Sequence, residues 1–209
     1  MYLTKINLDT KNRKTLKALQ SLSLFHGAIE SSFSGERKRV LWRLDKVGSS
    51  YHLLILSEDK PDAEHIASQF SKSKDDWMMK PYGNLLKRVE DKTSWHFRLC
   101  ANPTYSAFKK GEKRGRVCAH VTKEHQRTWL KEQAEKHGFK VNDNSFEVID
   151  NQWYSFKKGS NRNNVTILSV VYEGVLEVTD AEKFKELLTE GIGREKAYGN
   201  GLMTLVNVG

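Results

Sequence analysis

Gly191-Ile192-Gly193-Arg194-Glu195-Lys196-Ala197-Tyr198-Gly199-Asn200-Gly201, followed at once by Leu202-Met203-Thr204-Leu205-Val206, holds four of the chain's 14 glycines in its first eleven residues. Just upstream, Thr179-Asp180-Ala181-Glu182 opens a run with Phe184, Leu187 and Leu188 at helical spacing, and Thr179 or Asp180 stands where a helix cap belongs. The order is therefore helix, glycine-rich loop, strand. Glycine admits positive φ and lets backbone N–H groups approach a ligand closely, and the embedded Arg194 and Lys196 favour an anionic one. The same pattern also fits an ordinary helix-to-strand turn, so the rest of the chain must decide.

Working back from the loop, Val148 to Phe156 and Val165 to Val178 read as strands around the turn sequence Lys157-Lys158-Gly159-Ser160-Asn161-Arg162-Asn163-Asn164. Lys123 to His137 is the clearest helix, with Trp129, Leu130 and Ala134 inward and Gly138 closing it. Arg116 to Val121 is a short strand, and Trp95 to Ala101 is another, ended by Asn102-Pro103. The first half repeats the order. Tyr2 to Leu8 alternates as a strand, and Lys11 to about Ser32 reads as one helix through Leu16, Leu19, Leu22, Phe25 and Ile29. Arg39 to Leu44 and Tyr51 to Leu56 make a hairpin around Lys46-Val47-Gly48-Ser49-Ser50. A helix from Pro61 to Phe70, with proline at its first position, and an extended stretch from Trp77 into Tyr82 follow. Each half is roughly β-α-β-β-α-β. The fold class expected is α+β: two tandem ferredoxin-like domains with antiparallel sheets, residues 1–90 and 91–209, divided in the polar stretch Glu90-Asp91-Lys92-Thr93.

Charge indicates a partner. The 35 Lys and Arg against 26 Asp and Glu leave +9 and a pI near 9.4, the balance of a nucleic-acid or anionic-surface binder. The longest apolar stretch, Val165 to Tyr172, is broken by Thr166 and Ser169 and is too short to span a bilayer, and Met1 to Lys5 has no signal-peptide pattern. A cytoplasmic protein with no membrane partner is expected. Cys100 and Cys118 lack CxxC or Cys/His zinc spacing and read as small buried residues, so no metal or other cofactor is expected.

Several short motifs, in order, carry a resemblance that runs end to end: Met1-Tyr2-Leu3-Thr4-Lys5, Val40-Leu41-Trp42-Arg43-Leu44, Phe97-Arg98-Leu99-Cys100-Ala101-Asn102-Pro103, Trp129-Leu130, Tyr172-Glu173-Gly174-Val175-Leu176-Glu177-Val178 and the glycine loop with Gly201-Leu202-Met203-Thr204-Leu205. In these the chain resembles the CRISPR RNA-processing endoribonucleases of the type I-E (Cascade) system, within the repeat-associated RNA-binding superfamily. The resemblance implies a prokaryotic enzyme that cuts precursor CRISPR RNA at the base of a repeat hairpin without metal. It also implies that the product stays bound beside the backbone, large and small subunits of the Cascade complex.

Metal-free RNA cleavage starts with attack of the 2′-OH on the adjacent phosphate, leaving a 2′,3′-cyclic phosphate and a 5′-OH, and needs a base, an acid and charge stabilisation. Histidine exchanges protons near neutral pH. Of seven histidines, the resemblance assigns catalysis to His26. Periodicity alone puts His26 on the face of Leu22 and Ile29, as a core histidine, unless Gly27 breaks the helix and frees the imidazole. His120 and His125 miss the i, i+4 spacing of a helical metal site; His52, His65, His96 and His137 read as ordinary strand or helix-surface residues. The family's tyrosine three residues before the histidine is Ser23 here, too short to replace a phenol, so help from Lys196, Arg194 or a tyrosine elsewhere is expected, or cleavage is slow or absent.

RNA hairpins are held through phosphates and shape. Three cationic clusters qualify: Lys109, Lys110, Lys113, Arg114 and Arg116, five cations in eight residues; Lys157, Lys158 and Arg162, on the hairpin that in relatives enters the RNA major groove; and Arg194 with Lys196, between Gly193 and Gly199. Tyr154 and Phe156 are either base-stacking rings or inward strand residues. Three readings follow: a CRISPR RNA endoribonuclease, a non-catalytic hairpin-binding subunit of the same complex, and a generic RNA-binding protein of two ferredoxin-like modules.

Overall fold

The computed structural model describes residues 1–36, 38–108, 115–157 and 164–208. Its first unit runs β1 (Tyr2–Leu8), α1 (Arg13–Gln20), α2 (Ser23–Ser31), β2 (Val40–Val47), β3 (Ser50–Ser57), α3 (Ala63–Phe70), β4 (Trp77–Pro81) and the single turn α4 (Gly83–Leu86). The strands form an antiparallel sheet in the order β2-β3-β1-β4. Ile6 and Leu8 of β1 join Leu53 and Ile55 of β3 in a core that Ala18, Phe25, Ile29, Ile66 and Phe70 cover from the helices. Those strand residues recur at every second position, as expected of the face that a sheet turns to its own helices.

Three local expectations are corrected. The single helix over Lys11–Ser32 is two helices broken at Ser21, whose backbone is extended (φ −135°, ψ 90°). Asn12 caps α1 by accepting from the Lys14 N–H, and at the break the Ser21 and Ser23 hydroxyls hydrogen-bond each other at 3.0 Å. Serine side chains compete for the local polar groups that a helix would otherwise use. The 3–4 spacing survives because Leu22 and Phe25 still reach the core from the new start. Gly27 does not break the helix; α2 continues to Ser31. Pro61 is not the first residue of α3 either, because Asp62 caps that helix by accepting from the His65 N–H, and the helix starts at Ala63.

The second unit runs β5 (Ser94–Ala101), β6 (Thr104–Ala107), β7 (Arg116–Ala119), α5 (Lys123–Lys136), β8 (Phe139–Lys140), β9 (Phe146–Lys157), β10 (Asn164–Val178), α6 (Ala181–Glu190) and β11 (Met203–Asn207). Its sheet reads β11-β5-β10, with β9 along most of the far edge of β10 and the two-residue β8 at its end. Without the β6–β7 hairpin and β8, both sheets share one order, in which the last strand lies beside the first and the first beside the third. The two units are tandem ferredoxin-like folds with antiparallel sheets. Cys100 is buried, its thiol pushed up to about 12 by that burial, while Cys118 is half-buried rather than buried.

Side chains cross the seam in both directions. Leu41 and Leu56 of the first sheet belong to the core of the second unit, whereas Phe156, Ile167 and Tyr198 belong to the core of the first. At the seam Arg43, 1 % exposed, donates from Nε and Nη2 to the two Asp45 carboxylate oxygens at 2.8 Å each. Its Nη1 reaches the carbonyls of Arg98 (2.6 Å) and Leu202 (3.0 Å), and Nη2 also reaches the Thr204 hydroxyl at 2.8 Å. Arg98 in turn pairs with Asp45 at 3.2 Å and Glu173 at 2.6 Å. A buried guanidinium needs its donors satisfied, and here β5 and β11 supply partners that β2 alone lacks.

Candidate active site and nucleic-acid interface

Asp180 caps α6, its side chain accepting from the Lys183 N–H, as the sequence reading expects. The chain then leaves α6 at Gly191 and folds back so that the Ile192 N–H donates to the Gly201 carbonyl at 3.0 Å. Between them lies one turn of 3-10 helix, Lys196–Tyr198, that the sequence pattern does not reveal. Trp42 of β2 anchors this turn, since its indole N–H donates to the Ala197 carbonyl at 3.2 Å. Gly199 lies against the same ring: its φ is +78°, and a β-carbon there would stand 2.8 Å from Trp42. The loop is thus fixed to the first unit by packing.

His26 lies on α2, where the loop reaches the helix. Its ring meets Tyr198 edge-on, centroids 5.9 Å apart at 62°. Its side chain is 25 % exposed, and its Nε2 lies 3.7 Å from Glu30 Oε1 one turn later. The core positions near it are Leu22, Phe25, Ala28 and Ile29, so His26 sits at the rim of the core and the core-histidine reading is corrected. An imidazole held by a ring on one side and near a carboxylate on the other can be oriented and can exchange a proton with a ligand at the rim. Ser23, one turn earlier, hydrogen-bonds to Ser21.

The sequence-predicted cations divide by location. Arg194 is exposed on the loop beside Gly193, also exposed, which packs toward Trp129 of α5. Lys196 is half-buried and donates from Nζ to the Glu190 carbonyl at 2.8 Å; burial, with Arg39 nearby, holds its pKa below the usual lysine value. Lys157 is exposed at the end of β9, in register with Asn164, and Arg116 is exposed on β7, opposite Ala107. Lys109, Lys110, Lys113, Arg114, Lys158 and Arg162 lie outside the described residues. Gly199 is buried, and packing against Trp42 accounts for its glycine. Phe156 is buried against Tyr198 at 4.9 Å, and Tyr154, half-buried against the first core, has its phenol pushed up by burial, so both are inward residues.

Among the described residues no group of three His, Cys, Asp or Glu side chains is arranged to hold a metal ion, although the His120 and His125 rings come within 5.7 Å. No helix among them is long and apolar enough to cross a membrane.

A family model described as CRISPR associated protein matches residues 1–206. The chain belongs to that CRISPR-associated family. One relative is the CRISPR-associated endoribonuclease Cse3 of Thermus thermophilus, 24 % identical over 219 residues, spanning 98 % of this chain and 99 % of the relative. A structure of Thermus thermophilus Cse3 bound to an RNA representing a pre-cleavage complex superposes with a TM-score of 0.79 at 22 % identity over 98 % of each chain. Cas6e from Escherichia coli superposes at 0.61 and 20 % identity, and a chain of a CRISPR RNA-guided surveillance complex at 0.70 and 18 %, each over the whole of both chains. The type I-E Cascade endoribonuclease resemblance read from the motifs is therefore met along the full CRISPR-associated chain.

Within this family member, sequence reasoning passed over four residues that shape the site. The sequence marks Trp42 only as part of a motif and gives Glu30 and Arg39 no pattern, although Arg39 pairs with Glu190 at the end of α6. Tyr198 was visible as the one aromatic residue inside the glycine loop. Its neighbour in space is 172 positions away in sequence, and no spacing rule encodes that contact.

Proposed function

We propose that this protein is a metal-independent endoribonuclease that cuts the repeat hairpin of precursor CRISPR RNA and stays bound to the product in the Cascade complex. The observation that carries the reading is the partly exposed His26 imidazole at the rim of the first core, facing the cation-bearing glycine loop. In this mechanism the 2′-oxygen attacks phosphorus, the bond to the 5′-oxygen breaks, and His26 either takes the 2′ proton or gives one to the departing oxygen. Arg194, Gly193 and the loop amides would face the phosphate, with Lys157, Lys158 and Arg162 on one arm of the stem and Lys109, Lys110, Lys113, Arg114 and Arg116 beside it. Two kinds of relative, an RNA-bound Cse3 and surveillance-complex chains, support RNA and Cascade subunits as partners, and the bacterial source of the Cse3 relative supports a prokaryotic setting, in which a cytoplasmic location is proposed. The two sheets support a domain division at about residue 90.

Cleavage of the cognate repeat RNA in EDTA, compared with His26→Ala, tests this. Wild type is expected to release a 2′,3′-cyclic phosphate, and His26→Ala to bind the hairpin equally well but cut it at least a hundredfold more slowly, about the contribution of a general acid or base. Intact RNA with wild-type enzyme would sink the enzyme reading; full activity in His26→Ala would sink the site. One observation favours the second reading, a non-catalytic hairpin-binding subunit: Ser23 is short and bonded to Ser21, so its turn of helix brings no phenol to His26. A shifted but uncut RNA is the result that reading requires.

A further inference from the structure

The imidazole of His26 sits on a nine-residue helix and is one-quarter exposed, so its orientation must come from whatever walls it. The terminal torsion of histidine is broad and roughly two-fold, which gives an unsupported ring many orientations. Tyr198, by contrast, is fixed on every side. It is 6 % exposed, and its backbone closes the 3-10 turn with a hydrogen bond from its N–H to the Glu195 carbonyl at 2.9 Å. The residues before and after it are both held by Trp42, Ala197 through its carbonyl and Gly199 through contact with the ring. Its carbonyl accepts from the Asn200 side chain at 3.3 Å.

Tyr198 also touches a second element. Its ring meets Phe156 edge-on, centroids 4.9 Å apart at 63°, and Phe156 immediately precedes Lys157 at the end of β9. Phe156, Tyr198 and His26 therefore form a column of rings from the cation-bearing hairpin strand to α2, with the rigid ring in the middle.

We propose that Tyr198 is a positioning residue: it sets the orientation of the His26 imidazole and makes that orientation depend on the seating of the β9–β10 hairpin. The proposal rests on the reading of His26 as the proton-transfer group. Edge-on ring pairs have a preferred geometry, so a fixed ring narrows the angles its neighbour adopts. The aromatic wall reaches His26 from the glycine loop, while its own helix presents Ser23 on the preceding turn and Glu30 on the next.

The test compares Tyr198→Phe and Tyr198→Leu in single-turnover cleavage at saturating repeat RNA, with RNA affinity and thermal melting measured on the same samples. Tyr198→Phe keeps the ring and should cut within about threefold of wild type. Tyr198→Leu keeps apolar bulk without the ring, and should slow the bound-state rate by about tenfold to a hundredfold, the range for a misaligned catalytic group, while RNA affinity holds within about twofold. Two-dimensional NMR of the His26 ring in the RNA-free protein gives a readout independent of cleavage: its carbon and nitrogen shifts should move in Tyr198→Leu and hold in Tyr198→Phe. A Tyr198→Leu enzyme that cuts at the wild-type rate overturns the proposal. So does a variant that loses affinity and melting temperature in step with rate, since Tyr198 is then only core. If His26→Ala cuts normally, the enzyme-site reading falls instead, and unmoved His26 shifts in Tyr198→Leu still overturn this one separately.

Discussion

Trp42 gives the glycine loop its shape, and two glycines within reach of the site respond to substitution in opposite ways. At Gly199 a methyl group would stand 2.8 Å from the Trp42 ring on a backbone with φ +78°, so Gly199→Ala combines overpacking with a disfavoured conformation and should destabilise by roughly 1–3 kcal/mol. At Gly27, inside α2, a β-carbon meets nothing within 4 Å and the backbone is helical, so Gly27→Ala should stabilise by about 1 kcal/mol. Urea unfolding of both variants checks the pair, and equal signs would refute the argument. Both glycines are visible in the sequence, and nothing there separates them: one contact is with a residue 157 positions away. His26 shows the same limit from the other side. Its identity as a candidate was legible through the flanking motifs, but its place at the rim of the core was not, because a residue beside Leu22 and Ile29 on a helical wheel can lie either within the core or at its edge, and only the packed partners decide which.

Elements were more legible than residues. Alternation gave most strands of both sheets, and the 3.6-residue period gave α5 and the capped α6, because each of those elements buries one regular face, whereas the short β6, β8 and α4 carry no period to read. The break between α1 and α2 and the 3-10 turn escaped, the first because hydrophobic spacing continues across it and the second because three residues carry no period. At this scale the proposed RNA contact is the hairpin of β9 and β10, whose strands pair from Phe146 with Gly174 to Lys157 with Asn164. Neutralising Lys157, Lys158 and Arg162 together should weaken RNA binding and flatten the plot of log affinity against log salt by about 0.7 to 0.9 for each RNA phosphate that is no longer neutralised. Binding titrations across a potassium chloride series measure that slope, and an unchanged slope would remove the hairpin from the interface.

At the scale of the whole molecule, the seam between the units is held by a buried charge and by exchanged apolar side chains. Removing Arg43 leaves Asp45 buried beside one remaining arginine and orphans the carbonyls of Arg98 and Leu202. Arg43→Ala should cost roughly 3–5 kcal/mol, the range for removing one partner of a buried pair, and equilibrium denaturation would read it. A cost below about 1 kcal/mol would mean that the seam does not depend on this network. The motif containing Arg43 is legible in the sequence, yet its partners on β5 and β11 are set by the docking of two sheets, which no single strand encodes.

The exchange of Leu41 and Leu56 for Phe156, Ile167 and Tyr198 between the two cores has a further consequence. Neither half of the chain contains its own complete interior, so a polypeptide cut in the polar stretch 90–93 should yield fragments that are soluble as a pair and aggregate apart. During synthesis the first half must therefore wait, with part of its apolar face uncovered, until residues close to position 198 have emerged. The proposed catalytic rim, built by Tyr198 against His26, therefore cannot form before both halves are joined.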